Sequence, residues 1–452
     1  MKINENILNS KYFDEALEHL LKVLAIPSEQ GEPVKGAVFG AKTKEALEYT
    51  LNLAKKWGLK THLDADGSYG FLEYGQGSDV FLIAPHLDVV TAANPDKWEH
   101  HPYKPIIKDD KIYARGALDD KGPAYMVLFA FKYLMDNGWM PKNYLIRIVF
   151  GLDEEKEMRC LKKYVRDFGA PTIGFTPDGV FPCVYAEKAW SNVNLTGKYN
   201  SSLTIRKGIE SQDYNVVIDH VIYNGDKTGE IAKYLTKHKI ENQIINSELH
   251  VFGKPAHGSM PELGVNAAIW LLKAIDEVKI HHPLAEFVSK YFFDSYDVKK
   301  IFGDLTDETG GLTACIGYIK LEKDKYKLGI NFRVPATKLD QIHVIAPLEQ
   351  KTEPYKMKVA IKGNLIPIFF RKDRKIVKTM VEVYNKVTGN NLPPFPMGGG
   401  TYAKVVPNLI ACGIIDNLDN ASAHQYNEWV DIENLKRALN VYANLIVELE
   451  KS

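Results

Sequence analysis

The chain has 452 residues, with 57 lysines and arginines against 57 aspartates and glutamates, so its formal net charge is zero. A chain of this length is too long for one ordinary hydrophobic core and predicts two or three structural units. The balanced charge argues against binding of nucleic acid or of an anionic membrane surface.

The amino terminus and the cysteines favour a cytoplasmic protein. The first segment, MKINENILNS, lacks the apolar core of a signal peptide. The longest apolar runs are far shorter than the roughly 18 residues that cross a bilayer. The four cysteines are widely scattered and form no C-x-x-C pair, which is typical of buried thiols rather than of disulfides or zinc ligands. We therefore expect a cytoplasmic location and no membrane segment.

The first part of the chain predicts alternating helices and strands. Residues 43–57 have the pattern of an amphipathic helix, and strand-like segments follow near FLEYG and VFLIAP. The stretch GPAYMVLFAFKYLMDNG has helical length, with Gly122-Pro123 suited to its start and Asn137-Gly138 to its end.

Three short apolar runs, at 80–84, 145–150 and 173–176, are each followed by acidic residues or a histidine. In chain order these following residues are His86 and Asp88, Glu154 and Glu155, and Asp178. A continuous apolar run is typical of a parallel strand whose sheet has helices on both faces. Ligands of such sheets bind outside the carboxyl ends of the strands. We therefore expect these side chains to meet at one edge of a sheet.

Asp119 and Asp120 in ARGALDDKGP and His424 in SAHQYNE extend this set. Each group alone also fits a simpler interpretation: an acidic pair before a helix is typical of capping, and a glutamate pair after a strand is typical of a solvated first helical turn. Asp-Gly after a strand is a turn signal. The joint pattern favours a functional site, because every member falls where the fold would place a metal ligand.

The chain changes character after Asp178. From about 185 to 370, short alternating strands, polar loops and one helix near 265–278 predict an inserted α+β unit. From Asp373 the helix-and-strand pattern returns and ends in a helix that Asp431 opens. The apolar stripe of that helix comprises Ile432, Leu435, Leu439, Tyr442, Leu445 and Leu449.

These patterns predict an α/β fold class. We expect a catalytic domain with a mostly parallel sheet flanked by helices, formed by residues 1–183 and 371–452. Residues 184–370 would form an inserted α+β lid domain.

The residue types suit a two-metal hydrolase. A pair of divalent ions about 3.5–4 Å apart needs one bridging carboxylate, further ligands for each ion and a position for water. Histidine, aspartate and glutamate suit zinc, manganese or cobalt. Hydrolysis also needs a base for the proton of the water that the two ions share, so one carboxylate must stay out of the ligand set. Glu154 and Glu155 can divide these two tasks, and their spacing alone leaves open which residue does which.

Seven segments occur in the order and at the spacing of a known family: PHLDVV, ARGALDDKGP, LDEE, FTPDG, FGKPAHGSMPELGVNAA, MGGGTYA and HQYNE. From about residue 10 to its end, the chain resembles the aminoacylase and carboxypeptidase family of di-metal metallopeptidases. Within that family it is most similar to the PepV-type bacterial dipeptidases, which are carnosinase-like (Xaa-His dipeptidases). The fold implied is zinc-peptidase-like with a lid.

The resemblance implies a role for each of these residues. One metal would be held by His86, Asp119 and Asp178, and the other by Asp119, Glu155 and His424. Glu154 would be the general acid/base and Asp88 would orient His86. The Asp119–Asp120 peptide bond would be cis. The chain departs from many relatives after Glu155, where it reads KEMRC in place of a glycine-containing turn.

The lid would contribute substrate contacts. By the resemblance, His257 donates a hydrogen bond to the oxyanion, a contact typically worth about 10²–10³ in rate. Asn215 is similar to a residue that binds substrate near the same oxygen, and Arg333 to one that binds a substrate carboxylate. Gly399, Gly400 and Thr401, which follow Gly398, would line the substrate backbone, where close approach excludes a Cβ.

The expected function is hydrolysis of dipeptides with a free amino terminus, and the expected partner is the dipeptide alone. An N-acyl amino acid hydrolase or desuccinylase of the same family is an alternative. A non-catalytic metal- or peptide-binding protein is a second alternative, against which the intact Glu154 and His257 argue. The long insertion resembles the enlarged lid of PepV-type enzymes, so we expect an active monomer in which His257 acts within its own chain.

Overall fold

The computed structural model describes residues 10–92, 95–208, 214–339, 341–417 and 421–451, together with residues 3 and 7. The α-helices of these residues are α1 Lys11–Leu24, α2 Ala41–Lys56, α3 Lys121–Asp136, α4 Arg159–Phe168, α5 Thr228–Lys237, α6 Ala267–Glu277, α7 Pro283–Tyr291, α8 Lys299–Phe302, α9 Ala346–Thr352, α10 Lys375–Thr388 and α11 Ile432–Leu449.

The strands are β1 Lys60–Leu63, β2 Tyr69–Tyr74, β3 Val80–Ile83, β4 Ile106–Lys108, β5 Lys111–Tyr113, β6 Leu145–Gly151, β7 Ile173–Thr176, β8 Val184–Glu187, β9 Ala189–Lys198, β10 Thr204–Lys207, β11 His220–Asn224, β12 Asn242–Ile245, β13 Glu248–Phe252, β14 Thr306–Asp307, β15 Gly310–Gly311, β16 Thr313–Leu321, β17 Lys325–Val334, β18 Lys358–Leu365, β19 Ile368–Phe369, β20 Phe395–Met397, β21 Leu409–Ala411 and β22 Trp429–Asp431.

The chain divides into two compact units. The first contains Met1–Tyr185, Phe370–Phe395 and Thr401–Ser452, and the second contains Ala186–Phe369 and Pro396–Gly400. The predicted boundaries of the folding domains stay a prediction, because compactness does not test whether a segment folds independently.

The sheet of the first unit has a parallel centre and antiparallel margins. Its order is β1-β2-β6-β3-β7-β21-β8. Strands β6, β3, β7 and β21 are parallel neighbours, whereas β1, β2 and β8 join antiparallel. The α/β fold is confirmed, and the parallel arrangement belongs to its four central strands. Short connections such as the one between β1 and β2 favour antiparallel pairing, because a parallel crossover needs a dozen residues or more.

Helix α3 packs against α1 and α11 in the first unit. Almost every residue of α3 is buried, as its apolar sequence predicts. In α11 the predicted stripe is also buried, except that Ile432 is half-buried. Gly122 lies in the first turn of α3, where an added Cβ would approach the carbonyl oxygen of Ala117 to 2.1 Å. Glycine therefore lets this helix begin directly against the turn that carries Asp119. Within the described residues, no helix combines the length and apolar character that a membrane span requires.

The second unit is an α+β unit, as predicted. Its antiparallel sheet has the order β12-β13-β11-β10-β16-β17-β9-β18. Apolar residues of α5, α6 and α7 share one core with the inner face of this sheet. The helix predicted near 265–278 is α6, whereas α5, α7, α8 and α9 of this unit were not predicted. Helices α5 and α7 are short, with ten residues in α5 and nine in α7, and α5 buries only Ile231 and Leu235 fully.

Candidate metal and catalytic site

The site lies at the carboxyl ends of three neighbouring parallel strands of the first unit. Strand β3 pairs with β6 on one side and with β7 on the other. The chain leaving β3 stays beside β6, since His86 forms an isolated parallel bridge with Gly151. This topology brings together the residues that follow the three strands, which are His86, Asp88, Glu154, Glu155 and Asp178.

His86, Asp119 and Asp178 form the first group of ligand-type side chains. The Nε2 atom of the fully buried His86 lies 3.0 Å from Asp119 Oδ1 and 3.9 Å from Asp178 Oδ2. Its Nδ1 atom lies 2.9 Å from the carbonyl oxygen of Asp88 and 3.4 Å from Asp88 Oδ1. Contact at Nδ1 orients the ring so that Nε2 points toward the two carboxylates.

Asp119, Glu155 and His424 form the second group. His424 Nε2 lies 3.0 Å from Asp119 Oδ2 and 3.1 Å from Glu155 Oε2. Asp119 therefore faces one histidine with each of its oxygens. In each group the candidate ligand atoms all lie within 4.8 Å of one another. His424 has a φ of +63°, a left-handed conformation that costs a non-glycine residue free energy and often marks a functional site.

The Asp119–Asp120 peptide bond is cis, as the resemblance implies. The two side chains of this pair have different surroundings. Asp119 belongs to both ligand-type groups, whereas Asp120 Oδ2 accepts a hydrogen bond of 3.2 Å from the backbone N–H of His86. Asp120 therefore supports the segment that carries His86 rather than joining the ligand groups.

The charges of these groups suit divalent cations. Among the described residues, no lysine or arginine nitrogen lies within 4.0 Å of the carboxylates of Asp119, Glu154 or Glu155. Burial alone would lower the pKa of His86, but hydrogen bonding to Asp119 and Asp88 raises it well above its usual value. Interaction with Glu155 likewise raises the pKa of His424. The two groups together offer two imidazoles and three carboxylates whose charge a pair of divalent cations would balance, so the residues present fit a metal pair.

Glu154, like Asp88 and Asp120, is a buried carboxylate outside both groups. It is 8 % exposed, and its Oε1 atom has no hydrogen-bond partner among the described residues. Burial, followed by repulsion from Asp178, raises the pKa of Glu154 well above its usual value. A buried carboxyl group with an unsatisfied oxygen is costly, and such groups concentrate at sites of proton transfer.

Asp88 has a second contact that the sequence does not suggest. Its Oδ1 accepts the backbone N–H of Glu154 and its Oδ2 accepts that of Glu155, both at 3.2 Å. The fully buried Asp88 therefore holds the turn that carries both glutamates while it also contacts His86. The motif H-x-D indicates only the histidine contact, because the other partners lie more than 60 residues away.

Two more buried side chains near the site were missed at the level of sequence. Lys121 follows the Asp119-Asp120 pair, and its Nζ donates to the carbonyl oxygens of Val23 at 2.9 Å and Ile26 at 2.8 Å. Burial lowers the pKa of Lys121 to about 7. Glu428 accepts hydrogen bonds from the turn before Asp119. Both residues lie inside the motif segments, but the spacing of those motifs does not predict which distant residues they bind.

The second unit contains most of the predicted substrate-binding residues. His257 Nδ1 lies 2.7 Å from Ser259 Oγ. The backbone oxygen of Asn215 accepts the N–H of Gly258 at 2.7 Å, so the loops of Asn215 and His257 are neighbours. The two loops pack closely against each other, because a Cβ at Gly258 would approach the Asn215 backbone to 2.9 Å.

Arg333 is a buried cation of the second unit. Its Nε donates to Asn331 Oδ1 at 2.9 Å, and its Nη1 lies 3.5 Å from the carbonyl oxygen of Gly398. Within the described residues, no carboxylate oxygen lies within 4.0 Å of the guanidinium, and burial lowers the pKa of Arg333 to about 10. A buried guanidinium without an anionic partner is expected where a ligand supplies the negative charge.

The glycine-rich segment would accept a Cβ without a clash at Gly398 or Gly399. A Cβ at Gly399 would lie 3.6 Å from the nearest described atom, so packing within the protein does not require glycine there. Gly400 ends this part of the second unit, and Thr401 begins the next segment of the first unit. The Thr401 hydroxyl accepts the N–H of Ala403 at 3.2 Å and caps a short turn at Tyr402–Lys404.

The chain is similar in sequence and in fold to known peptidases. The sequence profile described as peptidase family M20/M25/M40 matches residues 82–448. A Staphylococcus saprophyticus protein with a provisional dipeptidase name is 31 % identical over 465 aligned positions, which cover 97 % of this chain and 98 % of the relative. Human carnosine dipeptidase 1 has a similar fold, with a TM-score of 0.63, 14 % identity and 99 % coverage of both chains. The Saccharomyces cerevisiae di-peptidase Dug1p gives a TM-score of 0.61 at 13 % identity, with 99 % of this chain and 98 % of that chain covered.

Proposed function

The chain belongs to the M20/M25/M40 peptidase family, and on that premise we propose that it is a metal-dependent dipeptidase acting on short peptides with a free amino terminus. The observation that carries the proposal is the sharing of Asp119 by two histidine–carboxylate groups beside the spare buried carboxylate of Glu154. A two-cation hydrolase needs one carboxylate that both cation sites share and another that binds neither cation and can transfer a proton.

In this proposal two divalent cations, zinc, manganese or cobalt, bind at the two groups. His86, Asp119 and Asp178 hold one cation, and Asp119, Glu155 and His424 hold the other. When bound, such a pair polarises the scissile carbonyl group and acidifies an attacking water. The hard oxygen and imidazole donors suit these three metals and leave the choice among them open.

Glu154 transfers the proton in this scheme. It takes a proton from the attacking water and delivers it to the nitrogen of the leaving amine, so that the peptide bond breaks without release of an amide anion. A raised pKa suits this task, because a carboxylate of ordinary pKa holds a proton too weakly near neutral pH. Asp88 supports the step by holding the backbone N–H groups of Glu154 and Glu155.

Residues of the lid recognise the substrate in this scheme. Arg333 binds the α-carboxylate of the dipeptide with its planar guanidinium. Support for this role comes from the burial of the guanidinium, whose positive charge has no carboxylate partner among the described residues. His257 donates a hydrogen bond to the developing oxyanion, and Asn215 assists near the same oxygen. Gly399, Gly400 and Thr401 line the substrate backbone in this scheme, and packing within the protein leaves Gly399 free of any clash that would itself require glycine.

The test is a panel of free, N-acetylated and C-amidated dipeptides assayed with manganese, zinc or cobalt. Free dipeptides are the expected substrates, since their carboxylate meets Arg333 and their amino terminus is unblocked. Preference for the N-acetylated members of the panel would favour an acyl amino acid hydrolase instead, because those substrates keep the carboxylate but lack the free amine. No turnover of any member with any metal would contradict the proposal.

A further inference from the structure

Glu428 is a buried carboxylate with both oxygens occupied. Its Oε1 accepts the backbone N–H groups of Gly116 at 3.1 Å, Leu118 at 2.9 Å and Asp119 at 3.2 Å. Its Oε2 accepts Nη1 of Arg115 at 2.6 Å, and both side chains of this pair are at most 3 % exposed. Glu428 thus binds the whole turn from Arg115 to Asp119 rather than one neighbour.

The same residue closes the loop that carries His424. Glu428 lies four residues after His424, and its backbone oxygen accepts the N–H of Ala114 at 3.0 Å. The hydroxyl of Ser422 closes this loop, because it donates to the Trp429 oxygen at 2.7 Å and accepts the Trp429 N–H at 2.9 Å. The next residues form β22, which pairs with β5 immediately before the Asp119 turn. One side chain therefore links the segments of two proposed ligands.

The ion pair between Glu428 and Arg115 contributes little to the stability of the fold. Arg115 Nε is buried and has no hydrogen-bond partner among the described residues. Burial of a charged pair with an incomplete set of hydrogen bonds gives little net stability. The guanidinium of Arg115 does balance the charge of Glu428, so the Glu428 carboxylate is not available to a cation. Both oxygens of Asp119 face the histidines instead.

We propose that Glu428 is a positioning residue for Asp119 and His424, and that it sets the affinity for divalent cations without touching them. The inference rests on the metal binding in the proposed function. Glu428 fixes the backbone of the shared carboxylate, so a change in its charge or length lets Asp119 move away from the geometry that both ion positions need.

The test is titration of chelator-treated protein with Mn²⁺, with free Mn²⁺ measured by electron paramagnetic resonance. Glu428→Gln keeps the size of the side chain, but its amide must turn an N–H toward either Arg115 or the backbone N–H groups. We expect the Mn²⁺ affinity to fall about 10- to 100-fold, as for other residues that support metal ligands. Saturating Mn²⁺ should restore most of the hydrolytic rate.

A matched control is Glu73→Gln. Glu73 pairs with the buried Arg147 near the amino end of β6, away from the strand ends that carry the site. This variant should lower stability towards urea and leave the Mn²⁺ affinity unchanged. If Glu428→Gln behaves in the same way, Glu428 has only a structural role and the inference is overturned.

Glu428→Asp provides the test if the glutamine variant does not fold. It retains the charge for Arg115 but is one methylene too short to reach all three N–H groups, so weaker Mn²⁺ binding is again expected. Wild-type affinity in this variant would overturn the inference. Failure of the wild-type protein to bind Mn²⁺ would instead reject the metal-dependent function itself, so the two failures are distinguishable.

Discussion

Replacement of Glu154 by glutamine tests the proposed division of tasks between the two adjacent glutamates. Glutamine has nearly the same shape, and the backbone N–H that Asp88 accepts remains in place. Since Glu154 lies outside both ligand-type groups, metal content should stay close to that of the wild type. General acid–base catalysis contributes about 10²–10⁴ in rate. We expect a loss of about 10³ in kcat, which is about 4 kcal/mol of activation free energy.

The same substitution should stabilise the metal-free protein. Burial raises the pKa of Glu154 in the folded state above its value in the unfolded chain. The folded state therefore holds this proton more tightly, and ionisation above the unfolded pKa favours the unfolded state as pH rises. Glutamine removes this penalty, so the variant's advantage should be smallest near about pH 4 and should grow toward neutral pH, by about 1.4 kcal/mol for each unit of pKa elevation.

Urea unfolding in chelator across this pH range measures the stability change, and metal analysis with kcat measures the catalytic change. Glu155→Gln is the matched control, because Glu155 belongs to a ligand-type group and its loss should lower metal occupancy as well as rate. If both variants lost metal and rate to the same extent, the assignment of Glu154 as acid/base would be wrong. A variant less stable than the wild type at neutral pH would refute the argument from burial.

Three further outcomes follow from the proposed site. Excess chelator should abolish hydrolysis and manganese, zinc or cobalt should restore it, whereas full activity after chelation and dialysis would contradict the two-cation scheme. Arg333→Lys should raise KM about tenfold or more without change in metal content, because an ammonium cannot match the carboxylate with a planar fork; equal kcat/KM for C-amidated and free dipeptides would exclude this role. A monomer with His257 acting in its own chain should give no recovery when inactive His257→Ala and Glu154→Gln proteins are mixed, and recovery under conditions of subunit exchange would show that the histidine acts across subunits.

Local sequence patterns determined the central elements of this protein. The apolar runs at 80–84, 145–150 and 173–176 correspond to β3, β6 and β7, which are parallel neighbours. An unbroken apolar run indicates burial on both faces, and burial on both faces is the property of central parallel strands. The long helix α3 was predictable because its apolar stretch has helical length and is buried on almost every side. The stripe of α11 was predictable because periodic apolar residues specify which face meets the core.

The positions of the site residues along the chain were also readable, because the carboxyl ends of parallel strands lie at one edge. The antiparallel margins of the sheet and the short helices α5 and α7 were not readable. Helix α5 has ten residues and α7 has nine, which is too short for a helix to be stable on its own, so the neighbours against which they pack determine their structure.

The contacts that orient the site residues join segments that are far apart along the chain, so they are visible in the folded structure alone. Asp88 binds the backbone of Glu154 and Glu155 across more than 60 residues, and Glu428 binds the Asp119 turn across more than 300. A buried carboxylate takes whichever N–H groups the fold brings within hydrogen-bond distance, and no local pattern encodes that choice. The residue types of the site are thus a property of the sequence, whereas their mutual orientation arises from contacts between segments that are distant along the chain.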